Sequence, residues 1–316
     1  MTKFKRKRQT TKKADAILAA DIHLRPDIPV GRIDDYFGAM ERKIDFILAL
    51  SKQHECPILV AGDLGNKPLN NGWPVWLLEL IIKKFEGHEI ICIAGQHDLP
   101  NHRLDLWEKS GIGVLHAAGA IYTIFGPIVV HGKFKIYPFN YGQEIQNPIN
   151  IWKDLAPSNL PMVAMTHQMV IENKPLWPGQ EAPKGNSLLK KFPEFSIIHS
   201  GDNHLSFVSE YENRKLINPG SMMRNTADQI DHKPRVYLWW AETNRIEPVY
   251  LPIEQDVISR EHIKDTTERD NRFDALITRV KTDVEIQLKY EDNVVKYFKK
   301  FRTEKAVKDK VLEHVI

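Results

Sequence analysis

The hexapeptide HSGDNH, residues 199–204, follows the apolar run FSII (195–198), where a buried strand reaches its carboxyl end. Asp202 and His204 are therefore either ligands carried on a strand tip or polar residues of a turn, in which Gly-Asp is common. The choice depends on whether other strands deliver partners of the same chemical type. Four more apolar runs do so. AILAAD (16–21) leads into Asp21 and His23, PILVAGD (57–63) ends in Asp63, IICIAGQHD (90–98) ends in Gln96, His97 and Asp98, and PMVAMTH (161–167) ends in His167. In open α/β sheets, ligands bind beyond the carboxyl ends of the strands. Burying so many carboxylates and imidazoles together costs several kcal/mol for each group unless a cation compensates, and divalent metal ions are the natural compensation.

The segments between these runs set the fold class. Met40, Ile44, Ile47, Leu48 and Ser51 repeat at helical spacing between the first two runs, as do Val75, Leu78, Ile81, Ile82 and Phe85 between the second and third. A β-α-β-α-β order predicts a mainly parallel sheet covered by helices. The close-set runs AIYTIFG, IVVHG and KFKIYPF (120–139) predict antiparallel strands, and LSFVSEY, RKLINPGS and RVYLWW add others. Residues 168–187 are rich in Pro, Gly and Asn and read as a long irregular connection.

Charge and cysteine usage narrow the class further. The formal net charge is +3, but residues 1–13 hold seven Lys or Arg and no acid, so residues 14–316 sum to −4. A basic tail of that kind is either solvated or placed against phosphates, and the overall charge gives no argument for nucleic acid. No apolar run approaches the roughly 18–20 residues of a membrane span, and the basic N-terminus lacks the apolar stretch of a signal peptide, so a cytoplasmic location without membrane association is expected. The only two cysteines, Cys56 and Cys92, stand far apart in or beside apolar runs and predict buried thiols rather than a disulfide framework. Composition divides the chain into a basic tail (1–13), a main domain (14–254) and a charged C-terminal extension (255–316). Two apolar stripes in the extension, Phe273-Leu276-Ile277-Val280 and Val307-Val311-Leu312-Val315, predict helices that pack on the main domain or bind a partner.

The ordered motifs resemble the calcineurin-like metallophosphoesterase superfamily. Its pattern D-x-H, G-D, G-N-H-D/E, H and G-H-x-H is matched by Asp21-Ile22-His23, Gly62-Asp63, Gly95-Gln96-His97-Asp98, His167 and Gly201-Asp202-Asn203-His204, and NPGS (218–221) matches a further recurrent turn. The resemblance implies an α/β metallophosphoesterase sandwich, mixed β-sheets flanked by helices, with a short helical extension. It also implies that Asp21, His23, Asp63 and His204 hold one divalent ion, and that Asp63, Gln96, His167 and Asp202 hold a second. His97 is the implied catalytic residue, stabilising the phosphorane-like charge or protonating the leaving oxygen, with Asp98 holding its imidazole.

Two positions depart from the superfamily pattern, Gln96 for Asn and Asp202 for His. Both fall on the second metal position and make it oxygen-rich, which favours a hard cation, Mn²⁺ before Mg²⁺, over Zn²⁺. A degraded second position, holding one ion or none, is the competing interpretation. Within the superfamily, ADIHL (20–24), the domain size and the charged extension look most like SbcD-type DNA-repair nucleases. That likeness implies DNA as substrate, an SbcC-type ABC ATPase as partner and a homodimer. A phosphomonoesterase or small-substrate phosphodiesterase is the alternative on the same scaffold, and a catalytically degraded scaffold protein is the third reading. Arg25, Trp73, Trp76 and Trp177 flank the active edge. Trp73, Trp76 and Trp177 are expected to anchor loops, and Arg25 to lie in a surface loop.

Overall fold

The computed structural model describes residues 12–67, 73–148, 159–176, 179–261, 290–301 and 303–315. These divide into two compact units, Met1–Ser259 and Arg260–Ile316. The first contains twelve strands among its described residues: β1 (Ala16–Ala19), β2 (Ile58–Ala61), β3 (Ile90–Ile93), β4 (Tyr122–Thr123), β5 (Ile128–Val130), β6 (Phe134–Phe139), β7 (Met162–Thr166), β8 (Ile197–Ser200), β9 (Phe207–Tyr211), β10 (Arg214–Asn218), β11 (Arg235–Trp240) and β12 (Arg245–Tyr250). They form two six-stranded sheets, β12-β11-β1-β2-β3-β4 and β5-β6-β7-β8-β10-β9.

Each sheet is mixed. β1, β2, β3 and β4 run parallel, with β11 antiparallel to β1 and β12 antiparallel to β11 at one side. β6, β7, β8 and β10 likewise run parallel, with β5 and β9 antiparallel at the edges. This is the sandwich implied by the sequence, with one difference. The three runs at 120–139 do not form one antiparallel group, because β4 pairs parallel with β3 while β5 and β6 form a hairpin in the other sheet.

Alternation along the strands explains the layers. Leu18, Leu59 and Ile93 of the first sheet face Ile136, Val163, Met165 and Ile197 of the second in a dry central core, where Phe134 meets Trp239 edge to face. On the outer face of the first sheet lie helices α1 (Tyr36–His54), α2 (Val75–Phe85) and α3 (Gly111–Ala117), packed on Ile17, Ile58 and Val60. Helix α4 (Gly185–Lys191) covers the outer face of the second sheet through Leu188 and Leu189.

In α1 the predicted stripe Met40-Ile44-Ile47-Leu48-Ser51 is the buried one. In α2 Ile81 and Phe85 of the predicted stripe are buried and Leu78 and Ile82 pack half-buried on the same core, while Val75 is 80% exposed and Leu77, outside the stripe, is buried. The run is apolar on several faces, so periodicity alone misjudged its first turn.

Lys12 and Lys13 form ion pairs with Glu242 and Glu55; the rest of the basic tail lies outside the described residues. Both cysteines are buried free thiols. The second unit shows α5 (Tyr290–Lys300) and α6 (Lys305–Val315), the latter holding the stripe of Val307, Val311 and Leu312. The Phe273–Val280 stripe and Trp177 lie outside the described residues. Among the described residues, no helix is long and apolar enough to cross a membrane.

Candidate metal centre

Strand geometry brings the tip residues together. β1, β2 and β3 lie side by side in register, so their carboxyl ends, followed by Asp21, Asp63 and Gln96, open on one edge. β7 and β8 do the same in the second sheet and supply His167 and the 201–204 loop. Two groups of ligand-type atoms result, Asp21-His23-His204 and Asp21-Asp63-His167, each with its atoms within 4.8 Å of one another. Asp63 Oδ2 also faces both groups, 3.4 Å from His167 Nε2 and 3.9 Å from His23 Nε2. Asp21 and Asp63 are therefore both placed to be shared, where the motif pattern assigned sharing to Asp63 alone.

The backbone at these residues is unusual. Asp21, His23, Asp63 and Asp202 all have positive φ, between 49° and 77°. Left-handed conformations cost non-glycine residues free energy and gather where surrounding structure imposes them, notably at functional sites. Close approach also demands small residues nearby. A Cβ on Gly62 (φ +84°) would lie 2.2 Å from His167 Nδ1, and one on Gly95 would lie 2.1 Å from Asp63 Oδ1. The glycines of GD and GQHD are thus spaces for the neighbouring ligand-type side chains.

Each group is held by one atom and left unpaired at another. His167 Nδ1 donates to the Ala61 carbonyl at 2.7 Å, which orients the ring and leaves Nε2 without a partner. Asp63 Oδ1 accepts from the His97 backbone amide and Asp21 Oδ1 from the Asp202 amide. Their Oδ2 atoms are buried without a hydrogen bond, as are Gln96 Oε1 and His23 Nδ1. His23 Nε2 lies 3.1 Å from His204 Nε2. Buried polar atoms are otherwise nearly always satisfied, so this concentration of unpaired acceptors fits divalent cations well.

The electrostatics agree. Burial pushes His23 down to about 3, and it also lowers His204, so both present neutral imidazoles. Burial, with Asp63 close by, raises Asp21 to about 8. Burial disfavours a charged His167, but Asp63, Asp21 and Asp202 outweigh it and raise the imidazole to about 10. A crowd of carboxylates that draws a proton onto a fully buried histidine is one that a divalent cation would neutralise.

Gln96 and Asp202 are brought together as a pair, with Gln96 Nε2 donating to Asp202 Oδ1 at 2.6 Å. His97 stands half-buried at the rim, its ring 5.3 Å from that of His23 in an edge-to-face arrangement. The expectation that Asp98 holds this imidazole is not met. Asp98 is fully buried, and its oxygens accept from the backbone amides of Leu64, Gly65 and Gly95. It braces the loops after β2 and β3, and its influence on His97 passes through the backbone. His199, wholly buried in β8 on the same face as Ile197, belongs to the inter-sheet core rather than to either ligand group.

Asn218 is a positioning residue that motif reading passed over. Its amide donates to the Asn203 and Leu205 carbonyls and closes the 201–205 loop, while the Met222 amide donates to the Asp21 carbonyl. The available signal was NPGS, which reads as a turn and gave no hint that its asparagine closes the 201–205 loop. Trp73 is buried against Gly65 and Gly111 and anchors a loop, Trp76 is half exposed beside Phe37, and Arg25 is engaged by Asp27.

The family described as calcineurin-like phosphoesterase matches residues 16–206 of the chain. Among solved structures, the chain is similar to a novel archaeal phosphodiesterase (12% identity, 75% of this chain and 99% of the other, TM-score 0.39). It is similar also to the protein TT1561 of Thermus thermophilus (10% identity, 76% and 100%, TM-score 0.47). A third is a Staphylococcus aureus protein assigned as a 5′-nucleotidase (13% identity, 80% and 58%, TM-score 0.47), of whose length the chain spans somewhat more than half. No curated protein matches the chain.

Proposed function

Because the chain belongs to the calcineurin-like phosphoesterase family, whose members hydrolyse phosphoester bonds at a dinuclear divalent-metal centre, we propose that it is a metal-dependent DNA nuclease of the SbcD type. The observation that carries the hydrolytic part is the buried cluster of unpaired ligand atoms on Asp21, Asp63, His23, His167 and Gln96, with His97 at its rim. Asp21, His23, Asp63 and His204 would hold one ion; Asp63, His167, Asp202 and the carbonyl oxygen of Gln96 would hold the other. When bound, such ions supply Lewis acidity toward the phosphoryl oxygens and lower the pKa of water to near neutrality.

The protein's own groups then have definable tasks. The His97 backbone amide is fixed to Asp63 Oδ1, which sets the ring against the site mouth, where Nδ1 or Nε2 can deliver a proton to the departing oxygen. Asp98 keeps the two loops at constant separation through Gly65 and Gly95. Gln96 and Asp202 make the second position oxygen-rich, which supports Mn²⁺ as the activating ion ahead of Mg²⁺.

The finer assignment to DNA rests on the ADIHL segment and the charged extension, and it carries with it an SbcC-type ABC ATPase partner and a homodimer. The charge of −4 over residues 14–316 favours a second reading, hydrolysis of small phosphoesters. End-labelled single- and double-stranded DNA, incubated with Mn²⁺, Mg²⁺ or Zn²⁺ beside bis-p-nitrophenyl phosphate, separates the two. Mn²⁺-dependent DNA degradation is the expected result. Ester hydrolysis with DNA intact would transfer the assignment to a small-substrate phosphodiesterase, and maximal activity with Zn²⁺ alone would overturn the metal reading.

A further inference from the structure

Away from the metal centre, a second cluster of charged side chains gathers around the start of α1 and the segment after β10, with Arg32, Lys43 and Arg224 buried. A cleft of about 60 Å³ is lined by Arg32, Asp34, Arg42, Lys43, Arg224 and Glu254, together with apolar and proline side chains. Four cations thus share two carboxylates, and both carboxylates are already engaged. Asp34 accepts a bidentate pair from Arg32 (2.7 and 2.6 Å), and Glu254 accepts from Arg42 at 2.5 Å.

Among the described residues, the remaining two cations have only carbonyl partners. Lys43, 3% exposed, donates from Nζ to the Met222 carbonyl at 3.0 Å, leaving two of its three N–H groups for the cleft. Arg224, 6% exposed, donates to the carbonyls of Ile230 and Glu254. Burying two cations against neutral acceptors is costly unless an anion completes the set. The depressed Lys43, brought to about 7 by burial and then by Arg32 and Arg224, reflects the same deficit.

We infer that this cleft is a binding site for one small oxyanion of the phosphate class, held by Lys43 and Arg224 from within and by Arg42 at the rim. Charge, volume and access agree with that ligand. With Lys43 protonated the cleft carries an excess of two positive charges, which a dianion neutralises, and the bound anion would favour that protonated form. At about 30 Å³ per water the cleft takes about two waters, so a tetrahedral oxyanion would seat two of its oxygens inside and leave the others at the opening beside Arg42. Arg42 and Glu254 have half-exposed side chains and mark the opening. The backbone of Met222 connects the cleft to the metal centre, since its carbonyl accepts from Lys43 while its amide donates to the Asp21 carbonyl.

The test is calorimetric titration of inorganic phosphate into the full chain, metal-loaded and metal-stripped, for wild type and Lys43→Met. Sulfate and a nucleoside monophosphate serve as further arms. Stripped wild type is expected to bind one phosphate, and Lys43→Met to bind about 10- to 100-fold more weakly, the loss of one charge-assisted bond. Arg42→Gln at the exposed rim should weaken binding several-fold with the fold intact, which keeps the test informative if Lys43→Met unfolds. Tighter binding of the monophosphate than of phosphate would identify the ligand as a nucleotide phosphate, and the reverse as the free ion. Equal phosphate binding by wild type and both variants, or none by stripped wild type, would overturn the site.

Discussion

Gln96 donates its side-chain amide to Asp202 across 2.6 Å, so the two positions that depart from the family pattern are in contact with one another. An asparagine at 96 is one methylene shorter and would fall short of the carboxylate, and a histidine at 202 would fill the space that Gln96 enters. The substitutions therefore read as a matched pair that preserves an oxygen-donating position.

Their coupling is measurable. With Mn²⁺ as the probe ion, Gln96→Asn and Asp202→His are each expected to lower affinity at the proposed second position by about 10- to 100-fold, the range typical when a group that orients a ligand is lost. The double variant should recover much of that loss while shifting preference toward Zn²⁺, because a nitrogen donor replaces an oxygen. Equilibrium metal counting by elemental analysis reads this without reference to activity. Strictly additive losses would show that the pair is coincidental.

His97→Ala removes the rim imidazole while leaving every unpaired ligand-type atom in place. Turnover on the preferred phosphoester should fall about 10²- to 10⁴-fold, the usual contribution of a positioned acid or base. Metal stoichiometry should be unchanged. Retained turnover in a preparation free of contaminating nuclease would remove His97 from the chemistry.

Asp98→Ala tests the bracing role. Three buried backbone amides, those of Leu64, Gly65 and Gly95, would lose their acceptor. Unfolding in urea should report a loss of about 3–5 kcal/mol. Asp98→Asn keeps one acceptor oxygen and should recover part of the stability. A catalytic role confined to His97 would instead lower turnover with the urea midpoint unmoved.

Much of this organisation was legible in the sequence because buried parallel strands write continuous apolar runs and end abruptly in chemistry. Asp21, Asp63 and His167 could be located from that punctuation alone. What escaped was set by tertiary contact. The start of the α2 stripe was misjudged because Val75, which is exposed, is as apolar as the buried Leu77, and only packing against α3 and the sheet selects between them. Asp98 looked like a partner for its neighbour His97, but adjacent residues point apart, and its carboxylate turns to the amides of Leu64 and Gly65, far back along the chain. β4 carries two paired residues, too few for its neighbour or direction to be read from periodicity.

Lys43 gives a stability signature independent of the metal centre. Its ammonium is buried beside Arg32 and Arg224, with Asp34 and Glu254 opposing them, and burial first, then those guanidiniums, lower it from 10.5 to about 7. His232, which bonds the Ser221 carbonyl, also lies within its field. The unfolded chain therefore binds the Lys43 proton between pH 7 and 10.5 while the folded protein has released it. Since stability rises with pH wherever the unfolded state holds more protons, this group makes the fold more stable as pH increases through that window. Lys43→Met should remove the increment, flattening the difference between thermal midpoints at about pH 7 and about pH 9, and should be the more stable protein at about pH 6.5, where wild type carries the buried charge. Identical pH dependence in the two proteins would mean that Lys43 keeps its proton in the fold, neutralised by an anion already in the cleft.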